Sequence, residues 1–182
     1  MTLRTLFLGA LGALALPLAL AGCGPADTGG DMTVLTVTGA IGAPDREALN
    51  PDTDRYFAWA GFDFDDGRNF SRRELAGLPR HQIHINTDVA PAGAYEGPLL
   101  ADVLDLAGAD WTRDAVYAHA LDGYASAIPL GPARQDGAIL ALTRNGEPLP
   151  LGGEGPLYVV FPEDAGADPG WYVWGLVLLS VE

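Results

Sequence analysis

The side chains best suited to chemistry are few in this chain and widely scattered. Asp63, Asp65, Asp66, Asn69 and Glu74 form an oxygen-rich run. With Asp63 as first ligand, Glu74 stands where a bidentate glutamate would close a calcium loop, but Gly67 comes one residue too early for the sharp turn that loop needs. The run fits better as a turn at Asp66-Gly67 followed by Ser71-Arg72-Arg73-Glu74, a capping box opening a short helix through Leu78, with Pro79 as its stop. His81 and His84 stand three apart in the alternating run from Arg80 to Thr87. On a strand that spacing sends them to opposite faces, against a shared metal. His119 falls in another strand-like run and suits a packed or surface role better than that of a base. Ser71 and Ser126 have no His/Asp arrangement that supports a nucleophilic triad. No glycine-rich phosphate loop precedes a helix, and no dinucleotide fingerprint occurs. Cys23 is the only cysteine, so the residues after it offer no disulfide, thiolate metal ligand or cysteine nucleophile.

Cys23 belongs to a different chemistry. Arg4 precedes an apolar run from Leu6 to Ala21, the charge-then-apolar layout of a secretory signal, and the run is somewhat short for a spanning helix. It ends in Leu20-Ala21-Gly22-Cys23, which resembles the bacterial lipoprotein lipobox. That resemblance implies cleavage before Cys23, diacylglycerol on its sulfur and acylation of the new amino end. Residues 1–22 are then a signal peptide, and residues 23–31 a lipidated cysteine with a Gly-rich tether. Residues 32–182 form one domain, long enough for a full core. Gly24 stands where an inner-membrane retention Asp would stand, which favours the outer membrane if sorting follows the enterobacterial pattern. The expected location is the bacterial cell envelope, lipid-anchored and facing the periplasm.

The formal charge is −14, and loss of a signal carrying Arg4 and no acid makes the remainder one unit more negative. Every basic residue is Arg. So acidic a domain is unsuited to nucleic acid, whose affinity comes largely from phosphate neutralisation. It is also repelled by anionic membrane surfaces, leaving the lipid to do the anchoring.

Around the candidate residues the chain alternates strand-like runs with short helices. Met32 to Gly39 is a first strand, rich in Val and Thr. Ala40 to Asp54 is loop, and the aromatic Arg55 to Phe64 suits a short strand or a helical turn. Asp88 to Tyr95 is a Pro/Gly loop. It delivers the chain to a helix with Gly97 as N-cap, Pro98 at the first position, an apolar stripe of Leu99, Leu100, Val103, Leu104 and Ala107, and Gly108 as left-handed stop. That helix is expected to pack on a sheet. Further strands follow at Asp114 to Leu121, Ala125 to Leu130 and Ala138 to Arg144, with a helical turn at Pro132 to Gln135 and a hairpin signal at Asn145-Gly146. Leu157 to Phe161 is a buried strand, Glu163 to Gly170 an acidic loop and Trp171 to Val181 the closing strand. The fold class is α+β, mainly β with few short helices.

A set of phrases in fixed order carries a family resemblance. These are Tyr95-Glu96-Gly97-Pro98-Leu99-Leu100, Ala120-Leu121-Asp122-Gly123-Tyr124, Ile128-Pro129-Leu130, Ala138-Ile139-Leu140-Ala141, Asn145-Gly146-Glu147-Pro148-Leu149-Pro150, and Gly155-Pro156-Leu157 running to Phe161-Pro162, with Trp174 opening the final run. Together they resemble the sulfite-oxidase-type molybdopterin-binding domain, in its small stand-alone exported version, over about Val34 to Glu182. The resemblance implies a sulfite-oxidase-type molybdopterin-binding fold of twisted sheets with short helices.

It also implies where a cofactor would be held. Members that hold molybdenum have a Cys in the loop corresponding to Asn86-Thr87-Asp88-Val89-Ala90, and neither Thr nor Asp replaces a soft thiolate well. Active members have a His and an Arg near Gly153-Glu154-Gly155-Pro156-Leu157-Tyr158, where this chain has Gly153 and Tyr158, with Glu154 adding an acid. They have a Lys where this chain has Val173. A phosphate pocket needs fixed cations, not carboxylates. The candidate vestigial pocket comprises Thr87, Asp88, Asp122, Tyr124 and Arg134. Turn chemistry is the plain alternative for Asp122 and core packing for Tyr124. No metal ligand set is expected and no catalytic residue is assigned.

The expected function is therefore an exported lipoprotein whose molybdopterin-oxidoreductase-like domain has lost its cofactor site and binds a small ligand or an envelope or sensor protein. Two alternatives stand beside it: a molybdopterin-dependent oxidoreductase in which Asp88 or solvent replaces the thiolate, and a structural envelope protein.

Overall fold

A computed structural model describes residues 32–182. In chain order its elements are β1 (Thr33–Gly39), β2 (Arg46–Glu47), α1 (Arg55–Trp59), β3 (Asp66–Ser71), α2 (Arg72–Gly77), β4 (His81–Ile85), β5 (Gly93–Gly97), α3 (Leu100–Ala107), β6 (Ala115–Ala120), β7 (Ala125–Pro129), α4 (Leu130–Gln135), β8 (Ile139–Ala141), β9 (Thr143–Arg144), β10 (Glu147–Pro148), β11 (Tyr158–Val160) and β12 (Leu176–Val181). Two 3-10 turns, Glu163–Ala165 and Pro169–Trp171, interrupt the segment between β11 and β12. The architecture is α+β and mainly sheet, with short helices.

A six-stranded sheet has the order β2-β3-β1-β12-β6-β7. Its two central strands come from opposite ends of the described chain and run parallel, with Thr36 beside Leu178 and Val37 beside Leu179. Leu35, Thr36, Val37 and Thr38 are all buried, so both faces of β1 are covered. The threonine face is satisfied rather than stranded: Thr36 Oγ1 donates to Asn69 Oδ1 at 2.9 Å and Thr38 Oγ1 to the Leu179 carbonyl at 3.5 Å. A four-stranded sheet, β10-β9-β5-β4, and a β11-β8 pair complete the strands. One apolar cluster draws on all three, including Leu35 and Leu179, Ile85 and Tyr95, and Leu140 and Val159.

The locally coded helices form as their residues dictate. Ser71 Oγ accepts from the Glu74 N–H at 3.1 Å and Glu74 Oε2 accepts from the Ser71 N–H at 2.8 Å, closing the capping box of α2. Arg55–Trp59 is helical, and the rest of that aromatic run folds back so that Phe62 and Phe64 pack edge-on to Phe57 at 5.8 and 6.1 Å.

Helix α3 buries Leu100, Val103, Leu104 and Ala107 completely and stops at Gly108, with φ of 70°. Its start differs from the sequence expectation. Gly97 ends β5 rather than capping the helix, and Leu99 is the N-cap, with no side-chain cap. The cause is a long-range zipper with residues 138–142. Leu142 N–H donates to the Glu96 carbonyl at 2.8 Å, Leu140 N–H to Pro98 at 2.9 Å and Leu100 N–H to Ala138 at 2.8 Å. These bonds hold residues 96–99 extended and take over one of the helix's orphan donors. Gly97 is required by proximity: a Cβ there would lie 1.9 Å from the Leu140 oxygen.

The same zipper divides the expected strand from Ala138 to Arg144. Its first part pairs with β11 and its last with β5 and β10. The expected loop from Asp88 to Tyr95 is shorter, because β5 begins at Gly93 and pairs with β4 from Ile85 to His81. The closing strand begins at Leu176 rather than Trp171.

Candidate functional site

The loop of residues 86–92 joins β4 to β5 and forms one wall of an open cleft of about 830 Å3. The other wall is Gly152, Gly153 and Glu154, and Tyr158, Tyr172 and Trp174 complete the lining.

Each wall is fixed by polar contacts from elsewhere in the fold. Glu163 Oε1 accepts from the backbone N–H of Asn86 at 2.6 Å and of Thr87 at 2.9 Å. Those two donors, that of Asn86 foremost, hold the Glu163 carboxyl below its ordinary pKa. At the other end of the loop, buried Tyr95 donates its hydroxyl to the Pro91 carbonyl at 2.7 Å. Burial raises the Tyr95 pKa, with Arg144 beside it acting in the opposite direction.

The facing wall is a tight turn in which the Gly153 and Gly155 N–H groups both donate to the Pro150 carbonyl, at 3.1 and 3.0 Å. The Gly155-Pro156 bond is cis. A Cβ on Gly155 would lie 2.4 Å from the Leu149 oxygen, so the chain passes itself there at glycine distance. The Arg72 guanidinium reaches in from α2 and donates to the carbonyls of Leu142, at 2.8 Å, and Pro156, at 3.4 Å. Glu154 receives Arg144 Nη1 at 2.5 Å, and its own carbonyl accepts the Gly175 N–H at 3.0 Å.

The aromatic residues differ in exposure. Tyr158 is 2 % exposed, Tyr172 7 % and Trp174 45 %. Tyr172 donates to the Phe161 carbonyl at 3.2 Å. Tyr158 has no hydrogen-bond partner for its hydroxyl among the described residues, and burial, followed by the neighbouring Tyr95, Glu154 and Tyr172, pushes its pKa well up. It is therefore a neutral phenol at any physiological pH, able to donate or accept.

The sequence-predicted residues divide cleanly. Thr87 and Asp88 line the cleft, and Gly153, Glu154 and Tyr158 face them across it. Asp122, Tyr124 and Arg134 are not on its lining. Asp122 Oδ1 accepts the Tyr124 N–H at 2.9 Å in the turn between β6 and β7, and Tyr124 donates its hydroxyl to the Gly170 carbonyl at 2.9 Å. Arg134, at the end of α4, lies over the Trp111 ring at 4.7 Å, and Trp111 in turn donates to Asp105 of α3 at 2.7 Å. These three serve turn and packing roles and are withdrawn from the pocket. Cys23 lies outside the described residues.

His81 and His84 are exposed on β4, and His84 pairs with Gln82 at 3.0 Å. His119 meets the Phe62 ring edge-on at 4.9 Å, and its pKa is lowered by burial, with Glu182 pulling the other way. None of the three lines the cleft. Tyr172, Trp174, Asn86 and the anchoring Glu163 escaped sequence reasoning. The two aromatics sit in a run that reads as apolar core, and Glu163 in a run that reads as solvated acid.

Residues 66–178 match the model of the oxidoreductase molybdopterin binding domain family. Among solved structures, the chain is similar to the sulfane dehydrogenase SoxCD from Paracoccus pantotrophus, with a TM-score of 0.56 and 17 % identity over 81 % of this chain and 37 % of that one. The present chain thus spans well under half the length of that relative. No match is found among curated proteins.

Proposed function

The chain belongs to the oxidoreductase molybdopterin binding domain family and has its sulfite-oxidase-type fold, and from that premise we propose that it is a lipid-anchored envelope protein that has given up the cofactor and uses the remaining cleft to bind a ligand or partner. The observation that carries this reading is the cleft lining. Among the described residues it contains Asp88 and Glu154 but no Cys, His, Lys or Arg.

Molybdopterin would supply two-electron oxidation or reduction at its metal. The residues present do not fit it. The metal calls for a soft sulfur donor, and the only cysteine is Cys23, which precedes the domain. The pterin phosphate calls for fixed guanidinium or ammonium groups. The guanidinium of Arg144, behind the cleft wall, is already committed to Glu154 at 2.5 Å. Asp88 on the lining, with Glu154 already paired to Arg144, offers a phosphate repulsion where it needs a fixed cation. A lining of this kind supports no redox step.

What the residues can do is hold a guest. The loop that would carry the thiolate is pinned at Asn86, Thr87 and Pro91, so the cleft is preorganised rather than collapsed. The lipobox-like Leu20-Ala21-Gly22-Cys23 supports anchoring through Cys23, with the domain on the periplasmic side. The test is the protein purified from its own host and assayed for molybdenum and for extractable pterin. Neither is expected at stoichiometric level. Stoichiometric molybdenum with a pterin favours the oxidoreductase with unusual ligation and defeats the proposal.

A further inference from the structure

We infer that the cleft takes a small organic cation: a protonated amine carried on an apolar or aromatic body. This rests on the reading above, since a cleft filled by molybdopterin has no room for such a guest.

The sign of the lining is the first ground. Its charged side chains are Asp88 and Glu154, both acidic. Arg144 offsets Glu154 from behind, which leaves exposed Asp88 as the uncompensated charge. An anion entering here meets a carboxylate and, among the described residues, no cation on the lining. A cation meets a carboxylate on one wall, in a chain whose formal charge is −14.

The second ground is independent of the acids. Tyr158 is 98 % buried, lines the cleft, and has a hydroxyl without a partner among the described residues. Its oxygen is not among the closed-off polar atoms, of which Thr143 Oγ1 is the one without a partner among the described residues, so it opens onto the cleft with its hydrogen-bonding capacity unused by the protein. An ammonium N–H directed at its oxygen supplies the missing bond.

The third ground is the apolar part of the lining. Tyr158, Tyr172 and Trp174 place three aromatic rings around a cleft with Val89, Ala90, Pro91 and Ala92 along its loop wall. Aromatic rings attract cations as well as apolar bodies. A volume of about 830 Å3 suits a small molecule. Trp174, 45 % exposed, also supplies an optical reporter at the site.

The experiment uses one phenethyl body carrying a cationic, a neutral or an anionic head group. Phenethylammonium, 3-phenylpropanamide and 3-phenylpropanoate are titrated into full-length protein purified from its host in detergent, read by tryptophan fluorescence and by calorimetry. The ammonium saturates a single site, the amide binds at least about tenfold more weakly for want of the charge-assisted bond, and the carboxylate does not bind. Asp88→Asn weakens the ammonium about tenfold or more, as loss of one charge-assisted contact should. Asp52→Asn, on an exposed turn away from the cleft, leaves it unchanged. Asp88 is exposed, so its variant is expected to fold, and a matching circular dichroism spectrum checks this. Equal binding of all three probes, preference for the carboxylate, an ammonium affinity that survives Asp88→Asn, or no binding in the millimolar range overturns the inference. Molybdenum and pterin are assayed in the same preparation. A cofactor-loaded protein defeats the underlying reading, whereas a cofactor-free protein that ignores the ammonium defeats this inference alone.

Discussion

Two tyrosines packed against one another, Tyr95 and Tyr158, with ring centroids 5.6 Å apart, illustrate how one residue type is put to different uses. The Tyr95 hydroxyl holds the 86–92 loop through Pro91. Its replacement by Phe loses a buried hydrogen bond and should cost about 1 kcal/mol in chemical denaturation. The Tyr158 hydroxyl bonds nothing among the described residues, so Tyr158→Phe should change stability by less than about 0.5 kcal/mol while weakening ammonium binding. Glu163 is the residue-scale lever on the loop. Its folded-state pKa is depressed, so its contribution is fully present above the ordinary carboxylate range and is lost as pH falls through the lowered value. Amide protection factors of Asn86 and Thr87 should therefore fall on acidification, and Glu163→Gln should show the low protection already at neutral pH. At this scale the sequence pointed to Thr87 and Asp88 only because family phrases located their loop. Asp122, Tyr124 and Arg134 shared those phrases or their neighbourhood, but a turn, a carbonyl and an indole ring had already claimed them.

Elements were legible where their signals are local and obscure where a distant segment decides. The capping box of α2 and the left-handed stop of α3 are written within a few residues, and both formed as written. The hairpin at Asn145-Gly146 likewise turns with φ of 53° and 82°. The start of α3 was not legible, because Gly97-Pro98-Leu99 looks like a helix entry and is instead held extended by residues 138–142, far downstream. The same zipper split a run that reads as one strand. Two substitutions measure the difference. Ser71→Ala removes a side-chain cap and should cost about 1 kcal/mol. Gly97→Ala places a methyl group 1.9 Å from the Leu140 oxygen, and should cost about 3 kcal/mol or more, or prevent folding, since backbone on both sides must move. Thermal denaturation of the two variants, run side by side, checks the ranking.

At the scale of the molecule, the parallel pairing of β1 with β12 joins the beginning and end of the described chain at the centre of the larger sheet. Loss of β12 would therefore remove a core strand rather than a tail, and a chain ending at Trp174 is expected to show no cooperative unfolding transition. The framework of the family is thus kept by long-range pairing, while the lining of the cleft it encloses is acidic. Retention of a scaffold says little about the chemistry of a site built on it, and here the cleft, lined by Asp88 and Glu154 and by no cation among the described residues, bears on function more directly than the fold. The proposed anchor is separable from the domain: Cys23→Ala should shift the protein from the membrane to the soluble fraction without altering its unfolding midpoint.

Whether the domain has given up its cofactor is decided by a native mass spectrum of the protein purified from its own host, grown with molybdate. The intact mass should equal the polypeptide from Cys23 onward plus its acyl chains, with no molybdenum isotope pattern and no pterin released on denaturation. A species heavier by one molybdopterin, carrying that isotope pattern and losing it on denaturation, would contradict the proposed loss.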